Sequence, residues 1–144
     1  MAAGEACGDI LRDFRTEKGR LSLWTIDDSN LDRVIAAVAA TKKNVEQVDF
    51  VLFPEELLES VGIKVQQVNG NTPDPVANRT WHFDILELTV RHIAVLAAAI
   101  NERGELGRKH EPDIKQLLRD GLESLRLEES LMKPELVAKL RPKP

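Results

Sequence analysis

Leu21-Ser22-Leu23-Trp24-Thr25-Ile26-Asp27, followed by Asp28-Ser29-Asn30-Leu31-Asp32-Arg33-Val34-Ile35, is the stretch whose reading decides the fold. The first run is rich in strand formers, and the alternation of side chains along a strand puts Leu21 and Leu23 on one face and Trp24 and Ile26 on the other. Both faces of that strand therefore need cover, as in a sheet with helices on each side. Ser29-x-x-Asp32 has the spacing of a capping box. Leu31, Val34, Ile35 and Val38 then recur at i, i+3, i+4 and i+7, the single stripe of an amphipathic helix.

The same grammar repeats downstream. Val48-Asp49-Phe50-Val51-Leu52-Phe53 is apolar on both faces apart from Asp49. Pro54 suits a first helical position, Glu55 and Glu56 answer the positive helix end, and Gly62 supplies a left-handed stop. Residues 63–68 read as a third strand with Lys64 and Gln66 pointing out, as at a sheet edge. After the turn-forming run from Asn69 to Pro75, Trp81, Phe83 and Ile85 alternate with Thr80, His82 and Asp84 in a fourth strand. Thr89 caps a helix whose apolar face comprises Val90, Ile93, Ala94, Ala97 and Ile100, and Gly104 ends it.

These signals predict an α/β (or α+β) fold, β-α-β-α-β-β-α, built on a mixed four-stranded sheet with a C-terminal helical extension. The first two strands, joined by a helix, should be parallel, and the last two, joined by a loop, antiparallel. Upstream, Ile10, Leu11 and Phe14 would face the core from a short helix or from one arm of a hairpin turning at Glu17-Lys18-Gly19-Arg20. Residues 1–104 form the expected α/β domain. Residues 105–111 read as a polar linker to a helical extension, 105–144, that packs on the domain or on a partner chain. In its first helix, opened by Pro112 and Asp113, the residues Ile114, Leu117, Leu118, Leu122 and Leu125 fall on one stripe; a second helix begins at Pro134.

Composition narrows the function classes. The chain has 144 residues, 42% apolar and 31% charged, with a formal charge of −4, which fits one ordinary globular domain and excludes a disordered one. The acidic balance, with four phenylalanines, two tryptophans and no tyrosine, argues against a nucleic-acid partner. The longest apolar runs, residues 34–40 and 93–100, fall far short of the roughly 18 residues of a membrane span. With no basic leader, the expectation is a cytoplasmic protein that binds no membrane. One cysteine, Cys7, excludes an intramolecular disulfide and an all-cysteine zinc site. Cys7 is expected in a frayed terminus without a basic neighbour, so not as an activated nucleophile. No phosphate-binding glycine loop, dinucleotide turn or serine nucleophile elbow is present, and no cofactor is expected.

Two constellations could carry chemistry. In a parallel pair, Asp27, Asp28 and Asp32 at one strand–helix junction and Glu55 and Glu56 at the next would share a sheet edge. There they could hold a hard divalent cation or a small molecule, or receive a basic partner, although acids at helix starts also simply answer the dipole. His82, Asp84, Glu87 and His92 could bind a transition metal or act as an acid–base pair, or could be a solvated strand face. The leading expectation is a protein–protein interaction or oligomerisation domain without catalytic activity, self-associating as a homodimer or binding another protein. The stripe Ile114, Leu117, Leu118, Leu122 and Leu125 is its expected interface. The alternatives are a metal-dependent or acid–base hydrolase using His82, Asp84 and His92, and a small-molecule binding module at the acidic edge.

Overall fold

The computed structural model describes residues 4–8, 21–85 and 89–141. The chain is mixed helix and strand. Its strands are β1 (Gly4–Gly8), β2 (Leu21–Ile26), β3 (Val48–Pro54), β4 (Val65–Gln67), β5 (His82–Ile85) and β6 (Glu105–Lys109). Its helices are α1 (Leu31–Ala39), α2 (Glu56–Ser60), α3 (Pro75–Thr80), α4 (Val90–Arg103), α5 (Glu111–Glu123) and α6 (Pro134–Leu140). One six-stranded sheet runs in the order β4-β5-β2-β1-β3-β6, and every neighbouring pair is antiparallel.

The expected four-stranded mixed sheet is thus replaced by a wider antiparallel one. β2 and β3 do run in the same direction, because β1 is antiparallel to both. They are not neighbours, however, because β1 lies between them, with Cys7 opposite Val51. Cys7 accordingly sits in an interior strand rather than in a frayed terminus. At the far end, Glu105–Lys109 is a strand paired with β3, not a linker. β4 and β5 pair antiparallel as expected, and β4 is the other edge strand, with all three of its residues exposed. The expectations for Ile10, Leu11, Phe14 and the turn at 17–20 lie outside the described residues.

Helices cover both sheet faces, as the two-sided apolar pattern of β2 requires. Leu23, Val51, Phe53 and Ile85 point to one face and bury against Leu57 and Leu58 of α2 and Leu96 and Ile100 of α4. Trp24 and Ile26 point to the other face and pack with Val34 and Ala37 of α1 and Ala77 of α3. On that same side Phe50 joins Ile35, Ile114, Leu118, Leu127, Leu136 and Leu140, drawing α5 and α6 into the core with α1.

Helix ends differ from the sequence reading in two places. Asn30, not Ser29, precedes α1 and gives it no side-chain cap. Instead the Asp27 carboxylate accepts hydrogen bonds from the Ser29 N–H (2.7 Å), the Ser29 hydroxyl (2.8 Å) and the Asn30 N–H (3.1 Å). Asn30, 3% exposed, accepts from the Asp27 N–H and donates to the Thr25 carbonyl, so the turn satisfies its own polar groups. The run from Asn69 to Pro75 is a turn only as far as Asp74. Asp74 then caps α3 by accepting from the Val76 and Ala77 N–H groups, with Pro75 at the first helical position. Thr89 caps α4 and Gly62 adopts a φ of +75°, both as read from sequence.

Candidate functional site

His82 and Asp84 share a strand face at 3.7 Å (Nε2 to Oδ1), but the setting is not that of an open acid–base pair. His82 is 6% exposed, packs edge-on against Trp24 at 4.8 Å, and places Nδ1 2.7 Å from the Val68 carbonyl. A carbonyl only accepts, so Nδ1 carries the proton, and the separation from Asp84 is too long for a hydrogen bond. Asp84 also accepts from the Ser22 hydroxyl at 3.4 Å. His92 is a capping residue: its N–H donates to the Thr89 hydroxyl, and its ring accepts from the Thr89 N–H. Glu87 lies outside the described residues. His82, Asp84 and His92 do not assemble into a ligand set: no group of three His, Cys, Asp or Glu side chains among the described residues could hold a metal ion.

The acidic junctions still end on one edge of the sheet, Ile26 and Pro54 both opposite Gly4, but β1 stands between them and their carboxylates are engaged separately. Asp27 is occupied by its turn, and those donated hydrogen bonds, Ser29 foremost, hold its carboxyl below the ordinary aspartate range. Asp32 pairs with Lys109 of β6 at 3.4 Å, and Glu56 with Arg103 of α4 at 3.3 Å. Asp28 and Glu55 join no metal-holding group among the described residues.

One polar arrangement was not singled out in the sequence. Arg33 of α1 donates from Nε (2.7 Å) and Nη2 (3.1 Å) to the carboxylate of Asp74, which is fully buried. The same guanidinium lies 5.5 Å from the Trp81 ring centre. Beside it a cleft of about 290 Å³ opens between α1 and α5, lined by Ser29, Asp32, Arg33, Asp120 and Arg126 among others. Of the five acids considered for metal binding, Asp32 alone lines it. The pair ties α1 to the start of α3, and Arg33 has its charge answered there. Asn78, buried nearby, accepts from the Thr72 N–H and hydroxyl and donates to the Thr72 carbonyl, closing the turn over Asp74.

The leucine stripe of α5 is mostly intramolecular. Ile114 and Leu118 are fully buried in the core shared with α1 and α6, and Leu117 and Leu122 pack against that core. These side chains complete the chain's own fold, which corrects their expected place in an interface. Leu125 differs: it lies just past α5 with φ +63°, and it is 84% exposed.

The apolar surface is found elsewhere. α4 buries Ile100 of the expected face together with Leu96, which lay outside it, leaving Val90 exposed, with Val95 partly so. The larger Leu96 turns inward, and Val90 and Ala94 turn out. On β6, Leu106 is 81% exposed, opposite Val51 in the register and so on the α4 side of the sheet. β6 is the last strand in the sheet order, so its outer edge has no strand partner among the described residues. Its inner edge is held by β3, by Arg108 to Asp49 at 2.6 Å and by Lys109 to Asp32. Gly107 is required there, because a Cβ would drive into the Phe50 ring. No family model, curated protein or solved structure matches this chain. No helix among the described residues is long and apolar enough to cross a membrane.

Proposed function

We propose that this chain is a cytoplasmic interaction domain that acts by protein–protein contact, associating with itself through the β6 edge rather than through the α5 stripe. The observation that carries this reading is Leu106, 81% exposed on the terminal strand of the sheet. An open edge strand presents a row of backbone donors and acceptors that a further strand can pair, and proteins ordinarily blunt such edges. An exposed leucine on that strand adds apolar area where a partner strand would lie. The burial of Ile114 and Leu118 supports the shift of interface, because neither side chain is available to a second chain. The burial of His82 and the capping role of His92 weigh against a hydrolase centred on them.

The test is the absolute mass of the full chain by light scattering over a concentration series reaching about 200 µM, since a contact this small fits a micromolar association. Two chains per particle at the upper end are expected, with Leu106→Asp shifting the protein to one chain without loss of thermal stability. One chain per particle throughout, or a dimer indifferent to Leu106→Asp, would overturn the reading.

A further inference from the structure

Resting on that self-association, we infer that the two copies pair antiparallel along β6 with Gly107 opposite Gly107, so that Glu105 of each faces Lys109 of the other. The charges of Glu105-Leu106-Gly107-Arg108-Lys109 are sorted to opposite ends of the strand, acid first and bases last, with a glycine at the centre. A two-fold axis through Gly107 sets the acidic end of each strand against the basic end of its partner, twice over. Glu105 is exposed and makes no ion pair among the described residues, whereas the bases are already turned toward acids of β3 and α1.

Backbone geometry leaves few other registers. In β6, alternate residues turn their N–H and C=O groups toward β3, and the residues between turn theirs outward. In an antiparallel pair, opposing residues must both point into the new ladder or both away from it, so a two-fold axis must pass through a residue pair. Centring on Arg108 would set the two guanidinium groups against each other. Centring on Leu106 would place Glu105 opposite Gly107 and make no charge pair. Centring on Gly107 pairs all five residues, and it keeps each Leu106 diagonal to its counterpart on the α4 side of the joined sheet. The single-chain surface committed is short, so the dimer forms at high rather than low protein concentration.

Charge exchange tests the register. At a concentration where the natural chain is dimeric, Glu105→Lys alone and Lys109→Glu alone should each be monomeric, because each sets like charges opposite one another at both ends. An equimolar mixture of the two variants should recover the dimer mass, since both opposing pairs are then attractive. Lys109→Glu also faces Asp32, so a second variant that leaves this pair intact carries the same question. Leu106→Cys with Arg108→Cys, oxidised and mapped by peptide mass, should join residue 106 of one chain to residue 108 of the other, within the reach of a disulfide across paired strands. Disulfides joining 106 to 106, or a dimer that persists in both charge variants, would overturn this register while leaving self-association standing. A natural chain that stays monomeric would overturn both.

Discussion

Replacing Arg33 with alanine should destabilise the fold by about 3 kcal/mol, because it leaves the buried Asp74 carboxylate without its counter-charge. The Asp74 side chain is 1% exposed and that of Arg33 is 22% exposed. The carboxylate receives four hydrogen bonds, two from the guanidinium and two from the Val76 and Ala77 N–H groups. Removing one partner of a buried pair costs roughly 3–5 kcal/mol. The two surviving N–H donors, and solvent reaching the vacated space from the adjoining cleft, hold the loss to the lower part of that range. Loss of the cation from the Trp81 face accounts for about 0.5–1 kcal/mol of that total. With a urea dependence of roughly 1.5 kcal/mol per molar, the unfolding midpoint should fall by about 2 M. Arg33→Lys keeps the charge but not the two-pronged geometry, and should lose less. A loss below about 1 kcal/mol in Arg33→Ala would refute the reasoning that this pair anchors α1 to α3.

Leu118→Ala should cost about 2–5 kcal/mol in urea unfolding, since its side chain is fully buried; a cost near zero would remove α5 from the core. Leu125→Gly should instead stabilise by about 1 kcal/mol, because glycine accepts a positive φ that leucine adopts only with strain. The Asp27 carboxyl is held below its ordinary range by hydrogen bonds to its ionised form, so its contribution is present above the unfolded pKa and lost as pH falls through the folded one. The stability gap between the natural chain and Asp27→Asn should therefore narrow as pH falls below about 4, and a gap constant with pH would contradict the turn geometry.

The layered helix–sheet architecture was legible because its signals are local: the two-faced apolarity of residues 21–26 and 48–53, the helical stripes after them, and the glycine stop at Gly62. The sheet's width and its direction of pairing were not. β1 reads Gly-Glu-Ala-Cys-Gly and β6 reads Glu-Leu-Gly-Arg-Lys, with none of the β-branched or aromatic residues that announce a strand. Both are strands because β3 offers two edges for pairing, one of them to a segment about forty residues away in the chain. That non-local contact leaves no periodicity in the sequence. Without β1, the co-directional β2 and β3 become apparent neighbours, which sets the two acidic junctions one strand closer together than the structure has them. The start of α3 did carry a signal, Asp74-Pro75, an acceptor followed by proline at the first helical position, which also reads as a turn. For the candidate contact surface, the α5 stripe and the β6 leucine differ only in burial, which spacing does not encode.

The most direct measurement of the central claim is amide hydrogen exchange of the segment Glu105–Lys109 at high and low protein concentration. If the β6 edge is the contact, exchange in this segment slows as concentration rises, while the buried core around Leu118 exchanges at the same rate in both samples. Exchange in 105–109 that is indifferent to concentration, in a sample whose mass is that of two chains, would place the contact elsewhere and contradict the claim.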